Sequence, residues 1–184
     1  MPTTTTSTDN PQFPMDSDLQ RYLNDHLAGS AGAVDLIQTL ADTSEDPGNE
    51  SFFTELKAKV EEDRTLLKDL IEKLGHSSSA LLEAAGNLTG KAGRLKLKWE
   101  GLEPGRLGRF EAMEMLSLGI QGKRLLWLML AELAPWIPEW SEINFGDLEL
   151  EAIAQRDAVE ARRIEAGLDG LIDAERRVQS APGL

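Results

Sequence analysis

Apolar residues recur at three- and four-residue steps along four long stretches of the chain, separated by breaks rich in proline, glycine and small polar residues. That period argues for amphipathic helices. The first is expected from about Asp18 to Asp42, capped by Asp16 or Ser17, with Leu19, Tyr22, Leu23, His26, Ser30, Ala33, Ile37 and Leu40 along its inner stripe. After the break "TSEDPGNES", Ser51 is expected to cap a second helix that runs to about Leu74. Phe53, Leu56, Val60, Asp63, Leu67, Leu70 and Leu74 form its stripe, and Gly75 supplies the residue on which helices commonly stop. A third helix is expected from about Leu107 to Leu133, ending before Pro135. A fourth runs from about Phe145 to Arg177, with Leu150, Ala154, Asp157, Ala161, Ile164, Leu168 and Leu171 facing inward.

The connections turn these helices into an architecture. Short breaks make helices one and two, and helices three and four, antiparallel hairpins. About 30 residues separate the hairpins, enough to traverse a bundle and leave helices two and three parallel. The expected fold is therefore all-α, an up-down four-helix bundle over residues 17–177 with a long crossover between helices two and three. Within the crossover, a short helix is expected near Ser79–Leu88, then an extended stretch at "RLKLKW". Residues 1–16, "MPTTTTSTDNPQFPMD", lack apolar periodicity and read as a disordered tail, and residues 178–184 as a second tail. A faint internal repeat places Asp63 and Asp157 in equivalent positions of helices two and four. Gly29 and Gly32 in helix one, and Gly119 and Gly122 in helix three, each cost about 1 kcal/mol of helix propensity. Close approach of a neighbouring helix is the expected compensation.

Composition narrows the function classes. The 184 residues are 41% hydrophobic and 28% charged, a globular balance. No cysteine is present, which excludes disulfides and cysteine-ligated metal sites and fits a reducing, cytoplasmic setting. A formal net charge of −13 disfavours nucleic acid and anionic membrane surfaces. The apolar stretch "LLWLMLAELAPWI" is too short to span a bilayer, and the N-terminus has neither the basic nor the apolar region of a signal peptide.

The candidate chemistry lies where the stripes are interrupted. His26, Asp63, Glu114 (with Glu111 one turn before it) and Asp157 are ionisable residues near mid-helix, one position per helix. Buried charges must pair, hydrogen-bond or hold a cation. Two hairpins, a long crossover and inward polar residues at mid-height resemble the ferritin-like superfamily. Segments such as "YLNDHLAGSAG", "EEDRTLL" and "LSLGIQGKRLLW" resemble an uncharacterised bacterial branch of it. The resemblance implies a bundle in which glutamates of helices one and three and Glu-x-x-His motifs of helices two and four hold two irons. Here the motifs are absent: Thr65 and Leu66 follow Glu62 and Asp63 at the histidine positions, and Glu160 follows Asp157.

Several readings of the mid-height residues stay open. In one, His26 is neutral and hydrogen-bonded to Asp63, Asp157 or Glu114 in a polar core without a cofactor. In a second, His26, Asp63, Glu111, Glu114 and Asp157 hold a single iron, manganese or zinc ion, for which imidazole and carboxylates are suitable donors. A His–carboxylate pair doing acid–base work and a His26 rotated off the core are the others. Lys123, Arg124 and Arg64 are available to pair with Glu111 and Glu114.

Two further features bear on partners. Six basic residues between Lys91 and Arg109 face only Glu100 and Glu103, so this segment either neutralises the acidic bundle or docks an acidic partner or second subunit. Trp127, Trp136 and Trp140 either cap the end of the bundle or mark an interface in the Trp136–Trp140 loop. The resulting expectation is a non-enzymatic structural or interaction protein without a complete di-iron site, with a homo-oligomer or another protein as the partner. The alternatives are a metal-binding or metal-dependent oxidoreductase bundle and a carrier of hydrophobic ligands.

Overall fold

The computed structural model describes residues 17–75, 105–173 and 175–176. Four long helices dominate them: α1 (Ser17–Asp42), α2 (Pro47–Lys73), α3 (Arg106–Leu133) and α4 (Phe145–Leu171). Two 3₁₀ turns, Ala134–Trp136 and Pro138–Trp140, join α3 to α4. The architecture is all-α, with no strand among the described residues. None of the described helices is long and apolar enough to cross a membrane. The expected tails and the crossover's short helix and extended stretch lie outside the described residues.

Helix boundaries follow local chemistry. Ser44 donates its hydroxyl to the Leu40 carbonyl, satisfying an orphan acceptor at the end of α1, and the Thr43 hydroxyl adds a second bond to the Thr39 carbonyl. The second helix begins earlier than the stripe suggested. Asp46, not Ser51, is its cap: the Asp46 carboxylate accepts from the Gly48 N–H at 3.2 Å, with Pro47 in the first turn. Ser51 sits inside the helix and donates to Glu55 at 3.1 Å. Gly75 adopts a φ of 90°, the left-handed conformation expected of a helix stop. Asn144 caps α4 by accepting from the Asp147 N–H at 3.3 Å. That helix ends at Leu171 rather than Arg177, with Ile172 extended at φ −128°, ψ 127°.

Two apolar clusters show how the helices run. One joins Leu23 and Leu27 of α1, Leu67, Leu70 and Ile71 of α2, Leu126, Trp127 and Leu130 of α3, and Trp140, Phe145 and Ala152. The other joins Ile37, Leu40 and Ala41 of α1, Phe53, Leu56 and Val60 of α2, Met113, Leu116 and Ile120 of α3, and Val159. The late halves of α2 and α3 share the first cluster and their early halves the second, so these helices run in the same direction. By the same test α1 is antiparallel to α2, and α4 to α3.

The inner stripe of α2 is largely buried and that of α1 buried at Leu23, Ile37 and Leu40 and half-buried elsewhere, but α4 is turned. Leu150, Ile164 and Leu171 are 65%, 51% and 61% exposed. Its inward face is instead Phe145, Ala152, Gln155, Val159 and Gly167. Contact with α3 decides this rotation. An added Cβ at Gly167 would meet the Phe110 ring at 2.9 Å, and one at Gly170 would meet the Arg106 carbonyl oxygen at 3.0 Å. On the same side, Arg124 pairs with Glu149 at 2.7 Å and Arg156 donates to Gln121 at 2.8 Å. Small residues and complementary polar pairs therefore set the α3–α4 face, and the larger apolar stripe is left outside. The rotation also separates the two aspartates of the faint repeat, since Asp63 is half-buried and Asp157 exposed.

Three of the four glycines expected to permit close approach do not do so. A Cβ at Gly29, Gly119 or Gly122 would meet nothing within 4 Å. The close approaches are at Gly167 and Gly170. Gly29→Ala is therefore expected to stabilise the protein by up to about 1 kcal/mol, through helix propensity. Gly167→Ala is expected to cost about 1–3 kcal/mol as Phe110 is displaced. Urea unfolding of the two variants checks the opposite signs.

Candidate functional site

The centre of the bundle is built around a lysine. Lys123 of α3 donates to the carboxylate of Asp63 on α2 and to the side-chain carbonyl of Gln155 on α4. The side chains of Lys123 and Asp63 are only 14% and 12% exposed. Burial pushes the Asp63 carboxyl above the usual carboxylate range, and the adjacent ammonium opposes that rise. Lys123 lies on the inner face of α3 between Ile120 and Trp127, so it interrupts its stripe as Asp63 interrupts that of α2.

Beside this triad a cleft of about 180 Å³ opens between α1, α2 and α3. Gly29 and Ser30 of α1, Arg64 of α2 and Gly119 and Trp127 of α3 are among its walls, and His26 and Asp63 also line it. Arg64 closes one side, donating to the Ser30 hydroxyl at 2.8 Å and to the Leu27 carbonyl at 3.3 Å. Trp127 is 1% exposed and stacks on Phe145 at 6.3 Å between ring centroids. Its indole N–H is buried and has no hydrogen-bond partner.

The five sequence candidates separate. His26 and Asp63 line the same cleft, with Lys123, not His26, holding the Asp63 carboxylate. His26 instead packs edge-on against Tyr22, with ring centroids 4.7 Å apart. Glu111 is half-buried on α3. Glu114 is exposed and lies 3.6 Å from Arg163, and Asp157 is exposed and pairs with Arg156 at 2.8 Å. The inward position expected for these last two acids is thus corrected. Glu114 falls on the α4-facing edge of α3, and the rotation of α4 carries Asp157 outward. Among the described residues, no three histidine, aspartate or glutamate side chains come together in a way that could hold a metal ion. The sequence reading considered Lys123 only as a partner for Glu111 and Glu114, and passed over Gln155. The signal for Lys123 is its place in the series Leu116, Ile120, Lys123, Trp127, while Gln155 lies off the most apolar stripe of α4.

No family model, curated protein or solved structure matches this chain.

Other candidates resolve individually. Trp140 is fully buried and Trp127 nearly so, while Trp136 is 83% exposed, so the tryptophans do not act as one cap. Of the basic segment, Arg106 and Arg109 are described, and Arg109 donates to the Ser44 hydroxyl at 3.2 Å. The rest lies outside the described residues.

His26 has a consequence for pH dependence. Desolvation lowers its pKa from 6.5, with Asp25 opposing the shift. Below pH 6.5 the unfolded chain therefore binds a proton that the folded protein resists. The contribution is fully present above pH 6.5 and is lost as pH falls through the folded-state value. His26→Gln is expected to flatten this part of the stability profile. Denaturant melts between pH 7.5 and 5 measure the change of slope.

Proposed function

We propose that this chain is a ferritin-like bundle working as a non-enzymatic interaction protein, with a built-in cation where its relatives would hold metal. The observation that carries this reading is the Lys123 ammonium, bound between Asp63 and Gln155 at the centre of the bundle. A fixed positive charge at that position satisfies the Asp63 carboxylate and repels a divalent ion. Calorimetric addition of iron(II), manganese(II) and zinc(II), each alone, to metal-free protein is expected to give no tight binding. Tight binding that His26→Ala abolishes would overturn the proposal.

The interaction surface is the outer face of α3 and α4. All twelve large hydrophobic residues that are exposed among the described residues lie between Leu107 and Ile172. Leu107, Leu118 and Leu125 of α3 and Leu150, Ile164 and Leu171 of α4 are among them. A run of exposed large apolar residues along two neighbouring helices is the kind of surface that marks a protein–protein interface. Arg156 and Arg163 alternate along it with Glu114, Asp157 and Glu160, so it carries both charges. This mixture suits a second copy of the same chain about a two-fold axis. Sedimentation equilibrium is expected to show a dimer that Leu118→Glu combined with Ile164→Glu converts to a folded monomer. A wild-type protein that stays monomeric at high micromolar concentration would exclude this partner.

A further inference from the structure

We propose that the outward seam of α4 is a docking site for a basic amphipathic helix of a partner protein, which takes the place of the second copy there. The inference rests on the reading of the α3–α4 face as an interaction surface and goes beyond it by naming a further occupant. Its first support is spacing. From Leu150 to Leu171 the residues follow a 4-3-4-3-4-3 order, with Leu150, Asp157, Ile164 and Leu171 at heptad d positions and Ala154, Ala161 and Leu168 at a positions. Every one of them is exposed. Ala152 and Val159, at the opposite f positions, are fully buried. A stripe confined to a and d is the seam that accepts a single further helix.

The positions beside the seam decide which helix fits. Glu151, Ala158 and Glu165 stand at e, and Ile153, Glu160 and Gly167 at g, so these rows hold acids and neither lysine nor arginine. The arginines of this span stand at b and c, and each is drawn towards a neighbouring helix. Arg156 donates to Gln121 of α3 at 2.8 Å, and Arg163 lies 3.6 Å from Glu114 of α3. Arg162 donates to Asn49 of α2 at 2.9 Å and lies over the Phe52 ring. Arg156 and Arg163 also reach Asp157 and Glu160, and Lys59 reaches Glu151, so part of the acidic charge is met within the chain. Glu165 stays exposed at the edge of the seam.

Charges at e and g set the choice of partner along a helical seam. Two α4 seams brought together, in either direction, set one acidic row against another. A helix with lysine or arginine at e and g meets opposite charge along the same rows. Asp157, at a central d position, likewise favours a partner that brings a cation. The basic helix is therefore the better match to α4, and the second copy is the occupant it displaces.

The test uses the full chain and three fluorescein-labelled peptides of about three heptads each. The first has leucine at a and d and lysine at e and g. The second replaces the lysines with glutamate, and the third has the composition of the first in shuffled order. Fluorescence anisotropy is expected to show the lysine peptide binding at least about tenfold more tightly than either counterpart. Sedimentation of the same mixture is expected to show the dimer giving way to one chain bound to one peptide. Leu150→Gln combined with Leu168→Gln, at positions 65% and 48% exposed, is expected to keep the wild-type thermal melt and to lose the lysine peptide. Glu165→Lys is expected to narrow the gap between the lysine and glutamate peptides. The proposal is overturned if the glutamate or shuffled peptide binds as well as the lysine peptide, or if the Leu150, Leu168 variant binds unchanged. A dimer that persists at saturating lysine peptide also overturns it and leaves the second copy as the occupant. A wild-type monomer that binds the lysine peptide through Leu150 and Leu168 would remove the dimer and support this inference, so the two readings fail separately.

Discussion

Replacing Trp140 with alanine is expected to lower the unfolding free energy by about 4 kcal/mol, the largest loss from any single substitution considered for this protein. The indole is fully buried. Truncating a buried tryptophan costs about 3–5 kcal/mol from lost transfer energy and the cavity left behind. Trp140 also has a bond to lose: its Nε1 donates to the Leu70 carbonyl at 3.3 Å, tying the α3–α4 turn to the end of α2. Its ring meets Phe145 edge-on, with centroids 5.8 Å apart. Trp140→Phe keeps much of the apolar volume and removes the donor, so it should lose only about 1–2 kcal/mol. Guanidinium unfolding of the two variants separates packing from hydrogen bonding. Equal losses would mean that the bond to Leu70 carries most of the effect. Trp136, 83% exposed only four residues earlier, is the internal control, since its replacement by alanine should change stability by less than about 0.5 kcal/mol.

Asp63→Ala has the second largest expected effect, a loss of about 3 kcal/mol. The substitution leaves the Lys123 ammonium with only the Gln155 carbonyl in a largely buried setting. Breaking a buried ion pair by removing one partner costs about 3–5 kcal/mol, and the residual exposure of both side chains favours the low end. The discriminating measurement is the double variant Asp63→Ala, Lys123→Met. Removing both charges is expected to restore most of the loss, because desolvation offsets much of what a buried pair contributes. If the double variant is less stable than Asp63→Ala alone, Lys123 contributes through something other than its partner. His26→Ala in the same background is expected to add independently, since Tyr22, not Asp63, is the ring it packs against.

The candidate site was half legible. Asp63 was readable as an inward, paired acid because it stands between Val60 and Leu67 on a clean stripe, and its side chain is only 12% exposed and paired. Its partner was not readable. Arg64 and His26 are near Asp63 in the sequence pattern, yet Arg64 turns to Ser30 and Leu27 on α1, and His26 to Tyr22. Lys123 reaches Asp63 from 60 positions along the chain. No local periodicity encodes which of three candidate partners a carboxylate will meet. The glycines show the same limit. Gly29 and Gly119 were visibly unusual in helix interiors, but whether the missing Cβ admits a helix or leaves a space depends on how far apart α1 and α3 settle.

What the sequence determined by itself is the set of helices, their approximate ends and the inward faces of α1 and α2. Those follow from local terms: the 3.6-residue period, caps such as Asp46 and Asn144, and the left-handed stop at Gly75. Only the tertiary structure decided the face that α4 presents. Judged alone, α4 should bury Leu150, Ile164 and Leu171, its most apolar stripe. Packed on α3, it buries Ala152, Gln155, Val159 and Gly167, because the small residues allow Phe110 and Arg106 to approach and Gln155 reaches Lys123. Hydrophobicity along one helix ranks its faces, but the energy of burial depends on what the opposite helix offers. For α4 the fit to α3 outweighed the apolar area left in water.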